Sequence, residues 1–148
     1  MHHLLKLSFS FWRLPVQKKG LLLEAAFFLI TSRLALKLCS FQRISSFLTR
    51  PQSLVEVVGV RRESLKKEVT WGIYLVSKHL PLEMVCFPRA IAAQEMLRRR
   101  RVNSTLYYGA ATLPDQGLAA HVWLQDDDLG VIGHTETNQY KVLARYPR

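Results

Sequence analysis

Two residues of this 148-residue chain have the types and order for nucleophilic chemistry: Cys86, in VCFPRA, and His121, in AAHVW. A thiolate is the nucleophile that acyl transfer needs, and a cysteine at the start of a helix is favoured as thiolate by exposed N–H groups and the helix dipole. Pro88 suits a first helical turn, and Ala90, Ala93 and Leu97 continue a stripe begun by Cys86, so a helix is predicted to start there. An imidazole with an unperturbed pKa of about 6.5 suits the base that takes the thiol proton and returns it to a leaving amine. The backbone N–H of Cys86 would supply one oxyanion donor; the second is not named by the sequence. Against this stands the ordinary fate of both types: a free cysteine is usually a small buried hydrophobe, and a lone strand histidine is usually structural. The weight comes from the pair, a Cys opening a helix followed by a His on a strand. Cys39, beside Leu36 and Leu38 at the end of an apolar helix, reads as core packing.

A base of this kind needs a group that orients its ring. If Asp127 and Asp128 form a two-residue hairpin loop, Asp126 pairs with Leu129, and counting back sets His121 opposite His134. A one-residue change of register substitutes Gly133, and neither is a carboxylate. Asp126, Asp127 and Asp128 read as solvating the turn, and Glu136 lies just beyond the paired segment. His134 therefore ranks first as orienter and Glu136 second. A second histidine would fix the tautomer but stabilise an imidazolium less than a carboxylate would.

The elements that must position these groups are readable by period. The run GLLLEAAFFLITSRLALKLCS from Gly20 is apolar over most of its circumference, as for a helix buried on several sides. A short amphipathic helix is predicted at Phe41 to Leu48, before Pro51. No period is visible from Pro51 to Arg62. From Ser64, the residues Leu65, Val69, Ile73, Val76 and Leu80 share one helical face until Pro81. The Cys86 helix is predicted to end near Arg98 to Arg101. The period then alternates: Asn103 to Ala111, Gly117 to Gln125 and Leu129 to Ile132 read as three or four antiparallel strands. Helices followed by a small antiparallel sheet make the class α+β.

The length fits one domain with a real core. Residues 1–63 read as a basic helical segment and 64–148 as the catalytic core. Two cysteines build neither a disulfide framework nor a metal knuckle, which fits a reducing cytoplasm. No secretory signal is visible, and Glu24, Arg33 and Lys37 make the apolar run a poor membrane span. The net charge is +10, and residues 1–67 hold 12 Lys and Arg against 3 Asp and Glu. Such a half suits an acidic protein, an acidic peptide or a peripheral contact with an anionic membrane surface. Nucleic acid is not expected, because the Arg98 to Arg101 run lacks the interleaved aromatics of a single-strand platform.

With these residues placed, CFPRAIAAQEMLRRRRVNSTLYYGA, followed by GLAAHVWLQ, a turn and VIG, resembles the leader peptidases of lasso-peptide biosynthesis, within the transglutaminase-like superfamily. That family's signature reads roughly as Cys-[LF]-x-[RQ]-[AS] opening a helix, a strand ending in Gly, then [AG]-His-[AV]-Trp-[VL]. Cys86, Arg89, Ala90, Gly109, His121 and Trp123 occupy those places. The resemblance covers residues 64 to 147, and the N-terminal apolar helix with its basic flanks is similar to the family's opening segment. It implies a papain/transglutaminase-like fold and a Cys-His-Asp thiol peptidase, without cofactor or metal. Such an enzyme removes the leader from a ribosomally made precursor before a separate ATP-dependent lasso cyclase closes the ring. The family's acid would fall at about Gly133 or His134, where this chain has none. Nothing before residue 64 reads as strands, so a fused peptide-binding domain is not expected, and a separate leader-recognition protein is. The alternative is a non-catalytic basic module of a peptide-maturation complex, motivated by His134 standing where an acid is expected.

Overall fold

The computed structural model describes residues 14–51, 55–82, 84–114, 117–126, 129–134 and 137–146. Four helices come first: α1 (Val16–Leu38), α2 (Phe41–Leu48), α3 (Val60–His79) and α4 (Cys86–Arg99). Four strands follow: β1 (Thr105–Leu113), β2 (Gly117–Asp126), β3 (Leu129–Ile132) and β4 (Lys141–Tyr146). They form one antiparallel sheet in the order β3-β2-β1-β4. This is the α+β arrangement the pattern predicts, helices and then a small sheet.

Helix α4 is the centre. It packs on α1, on α3 and on β1, β2 and β3, and every residue from Ala90 to Leu97 is buried. Alternate faces of a surface helix should differ, so Gln94 and Glu95 mislead a reading by period. Enclosure forces the Gln94 amide to find partners, and its NH₂ donates to the Ser104 and Tyr146 carbonyls, each at 3.3 Å. One side chain thereby ties α4 to the entry of β1 and the end of β4. On α3 the predicted stripe holds: Val69 and Ile73 are fully buried, and Leu65, Val76 and Leu80 pack against the core. Each fully buried residue of this size contributes roughly 1.5–3 kcal/mol. The helix begins at Val60, four residues before the apolar period does, since its first turn is exposed.

Two sequence expectations need correction. Asp126 does not solvate a turn. Val122, Leu124 and Asp126 share the β2 face turned to the helices, so this carboxylate is buried and must be paired. Arg62 grips it through both Nε and Nη2, and Lys66 Nζ lies 3.0 Å from Oδ2. Burial works against the Lys66 charge, but Glu63 at 2.5 Å and Asp126 reverse that and hold its pKa above 10.5. Its stabilising contribution is therefore complete below the unfolded value and lost as pH rises through the higher folded one. Cys39 is not core packing either. It is exposed, because α1 leaves the core in its last turn, where Leu38 is 80% exposed.

Removing one member of a buried ionic cluster leaves the others uncompensated. Asp126→Ala is therefore expected to cost about 3–5 kcal/mol in urea unfolding, and a loss below 1 kcal/mol would show that Arg62 and Lys66 find water instead. Glu95 gives a pH test. Burial raises its carboxyl pKa, and Arg98, whose Nη1 lies 3.3 Å from Oε1, offsets this only in part together with Arg50. A raised acid contributes stability at low pH that fades as pH climbs through the folded value. Stability of the native protein should thus fall relative to Glu95→Gln between pH 4 and pH 7; a parallel course for the two proteins would refute it.

Candidate active site

Cys86 is the first residue of α4, and Val85 before it offers no side-chain cap. The N–H groups of the first turn have no intrahelical acceptor, apart from Pro88, which has no N–H to satisfy. The thiol is partly buried, packed against the core beside Phe87, whose ring meets Tyr108 at 6.2 Å. The sulfur is thus half-buried at the first residue of the helix.

His121 lies on β2 opposite Gly109 of β1. Its neighbours Val122 and Leu124 enter the core, so His121 and Trp123 occupy the other face. There Tyr107 stacks on Trp123 at 5.5 Å, Trp123 lies 5.8 Å from the His121 ring, and Tyr140 closes on that ring at 5.1 Å. A Cβ on residue 109 would stand 2.9 Å from the Trp123 ring and 3.0 Å from Tyr140 Cβ. The strand glycine makes room for the aromatic frame of the imidazole.

Strand β3 stops at Ile132, so near His121 the ring is approached around the edge of β2. At that edge Nε2 meets the Gly133 carbonyl at 2.7 Å. A carbonyl only accepts, so Nε2 carries the proton and the neutral ring presents the Nδ1 lone pair. Gly133 is held in turn. Its backbone is left-handed, φ +66°, and its N–H donates to the Tyr74 hydroxyl at 3.2 Å. Tyr74 comes from α3, and the Arg89 guanidinium lies 5.7 Å from its ring. Arg89 is one turn beyond Cys86 on α4. The start of α4 thus reaches the imidazole through Arg89, Tyr74 and Gly133. Among the described residues no hydrogen bond joins the Cys86 thiol to the His121 ring; such bonds often tighten only when substrate is bound.

The chain matches the transglutaminase-like superfamily over residues 28–145. It belongs to that superfamily. Its members are typically cysteine proteases and acyltransferases, and the match runs from the middle of α1 through β4, beginning well before residue 64. Comparison with curated proteins and with solved structures finds no match.

In this transglutaminase-like chain the other expected site residues are scattered. Asp126 pairs with Leu129 as the hairpin count requires, but a bulge follows and Leu124 pairs with Ile132. The extra residue defeats the straight count that set His121 opposite His134. His134 is exposed, and its side chain fills the place a Cβ on Gly130 would take. Glu136 lies outside the described residues. No group of three His, Cys, Asp or Glu suited to a metal occurs among the described residues. Sequence reasoning missed Tyr74, Tyr140 and the Gly133 carbonyl. Tyr74 leaves a weak trace, an aromatic off the apolar stripe of its helix; a backbone carbonyl leaves none. A cavity of about 310 Å³ lies between α1, α2 and α4, lined by Phe28, Ile44, Phe47 and Ile91, apart from both Cys86 and His121.

Gly133 bears the geometry of the ring, and a Cβ there would sit 3.1 Å from the Val122 carbonyl in a left-handed backbone. Gly133→Ala should cost about 1–2 kcal/mol and shift the His121 ring resonances in NMR. Unchanged ring resonances would show that the carbonyl does not hold the imidazole.

Proposed function

We propose that the protein is a thiol peptidase that removes the leader from a lasso-peptide precursor, acting in the cytoplasm with a separate leader-recognition protein and ahead of the ATP-dependent cyclase. The observation that carries the reading is the tautomer of His121. With Nε2–H committed to the Gly133 carbonyl at 2.7 Å, Nδ1 is the free base, at the edge of β2 that Gly133, Tyr74 and Arg89 connect to the start of α4.

In this reading Nδ1 takes the Cys86 proton and the thiolate attacks the scissile carbonyl carbon. The resulting oxyanion is met by the backbone N–H of Cys86. The tetrahedral species collapses, the C–N bond breaks, and the imidazolium gives its proton to the departing amine. Water, deprotonated by the same Nδ1, then attacks the thioester; the leader leaves as a carboxylic acid and the thiol is restored. Removal of the first member of such a unit abolishes nearly all that the unit contributes.

A second reading, a non-catalytic basic module of the maturation complex, draws on the same site. The group that holds His121 is a neutral carbonyl rather than a carboxylate, and this stabilises an imidazolium less.

Incubating a precursor and recognition protein with the chain, and weighing the products, separates the two. Hydrolysis at one bond is expected, with Cys86→Ala and His121→Ala folded and slower by roughly three orders of magnitude or more. Cleavage at the native rate by Cys86→Ala would sink the peptidase. Labelling of Cys86 by a thiol reagent at pH 6 no faster than that of a model thiol would favour the module.

A further inference from the structure

We propose that α1 docks the protein, lying in the plane, on an anionic membrane surface. The inner face of α1 is spent on the core through Leu21, Leu22, Ala25 and Leu29. Its outer face is apolar as well: Val16 is 81% exposed, Leu23 64%, Phe27 61%, Leu34 48% and Leu38 80%. At 100° per residue these five side chains fall within an arc of about 60° and run roughly 33 Å along the axis. Exposed apolar area that is contiguous marks a contact surface, whereas scattered residues do not.

The charges beside the stripe decide what it meets. On ideal helical geometry Lys19 and Lys37 project along one flank. Glu24, the single acid of α1, projects along the other, where it is bound by Arg99 at 3.1 Å and Arg100 at 2.5 Å. That flank therefore carries net positive charge, and the Arg99 side chain is 66% exposed. An apolar stripe bordered by cations on both sides is complementary to acyl chains beneath anionic headgroups, which attract cations near the surface. The shape agrees, because a straight stripe on the convex outside of a helix meets a flat surface, while a protein partner would have to supply a groove. No helix of the described residues is long and apolar enough to cross a membrane, and α1 could not do so without abandoning the core.

Flotation with vesicles tests this on the whole chain. Binding to phosphatidylcholine vesicles containing a quarter phosphatidylglycerol should exceed binding to phosphatidylcholine alone by about tenfold and weaken in high salt. Leu23→Asp with Phe27→Asp, both on exposed positions, should retain native circular dichroism and lose at least about tenfold in binding. Leu34→Asp alone should weaken it in the same direction, and it decides the matter if the double variant fails to fold. Absence of binding to the anionic vesicles, equal binding to neutral ones, native binding by the folded variants, or a dimer in light scattering that the same substitutions dissolve would each overturn the proposal.

Discussion

A helix enclosed along two full turns cannot shift without opening the core, and the arrangement of this protein follows from placing α4 in that position. From Ala90 to Leu97 every residue is buried, three of them alanines that allow α1, α3 and the sheet to approach closely. Gln94 then becomes structural: its amide has no water to turn to, and its two bonds to Ser104 and Tyr146 fix the helix against the sheet. The consequence reaches Cys86. The N-terminus of α4 is where enclosure ends, so the thiol stands on a rigid support with one side in the core and the other at the surface. Precise placement of a reacting atom needs such a support, since misplacement by about 1 Å can cost a hundredfold in rate.

The sequence discloses features that depend on period and local chemistry. α2 falls at Phe41–Leu48, α4 begins at Cys86, and Asp126 pairs with Leu129 across the hairpin, each as the local pattern requires. Features that depend on depth are hidden. Asp126 looks like a turn acid beside Asp127 and Asp128, and only the sheet's orientation shows that its carboxylate faces Arg62 and Lys66. Cys39 looks internal because its neighbours are leucines, yet only Leu36 still packs against the core, and Leu38 lies exposed where α1 emerges. The exposed stripe of α1 is hidden for the opposite reason: a helix apolar all round reads as buried all round, and the sequence does not say which side lacks a cover.

The group that holds His121 was illegible for a third reason. The count along the hairpin was right at its first two pairs and failed at a bulge at Val131, which no residue type announces. Beyond the bulge the contact is made by a peptide group, and peptide groups have no sequence. What the chain does reveal is the glycine: residue 133 carries φ +66°, a conformation a side chain would oppose. An acid at this position would have had to adopt the same strained backbone. With glycine there, it is a backbone oxygen and not a carboxylate that meets the His121 ring.

That substitution changes what the site can do. A carboxylate both selects the tautomer and stabilises the imidazolium that forms when the thiol is deprotonated; a carbonyl performs the first task fully and the second only through its dipole. In a serine enzyme the loss would be severe, because the hydroxyl surrenders its proton only against a strongly supported base. A thiol is intrinsically several pKa units more acidic than a hydroxyl. In the proposed reaction the base would therefore have less to do in the attack and most to do in protonating the leaving amine. For that step a less stabilised imidazolium is the stronger acid. A Cys-His pair oriented by a backbone carbonyl is thus chemically coherent, with its burden moved from activating the nucleophile to releasing the product amine.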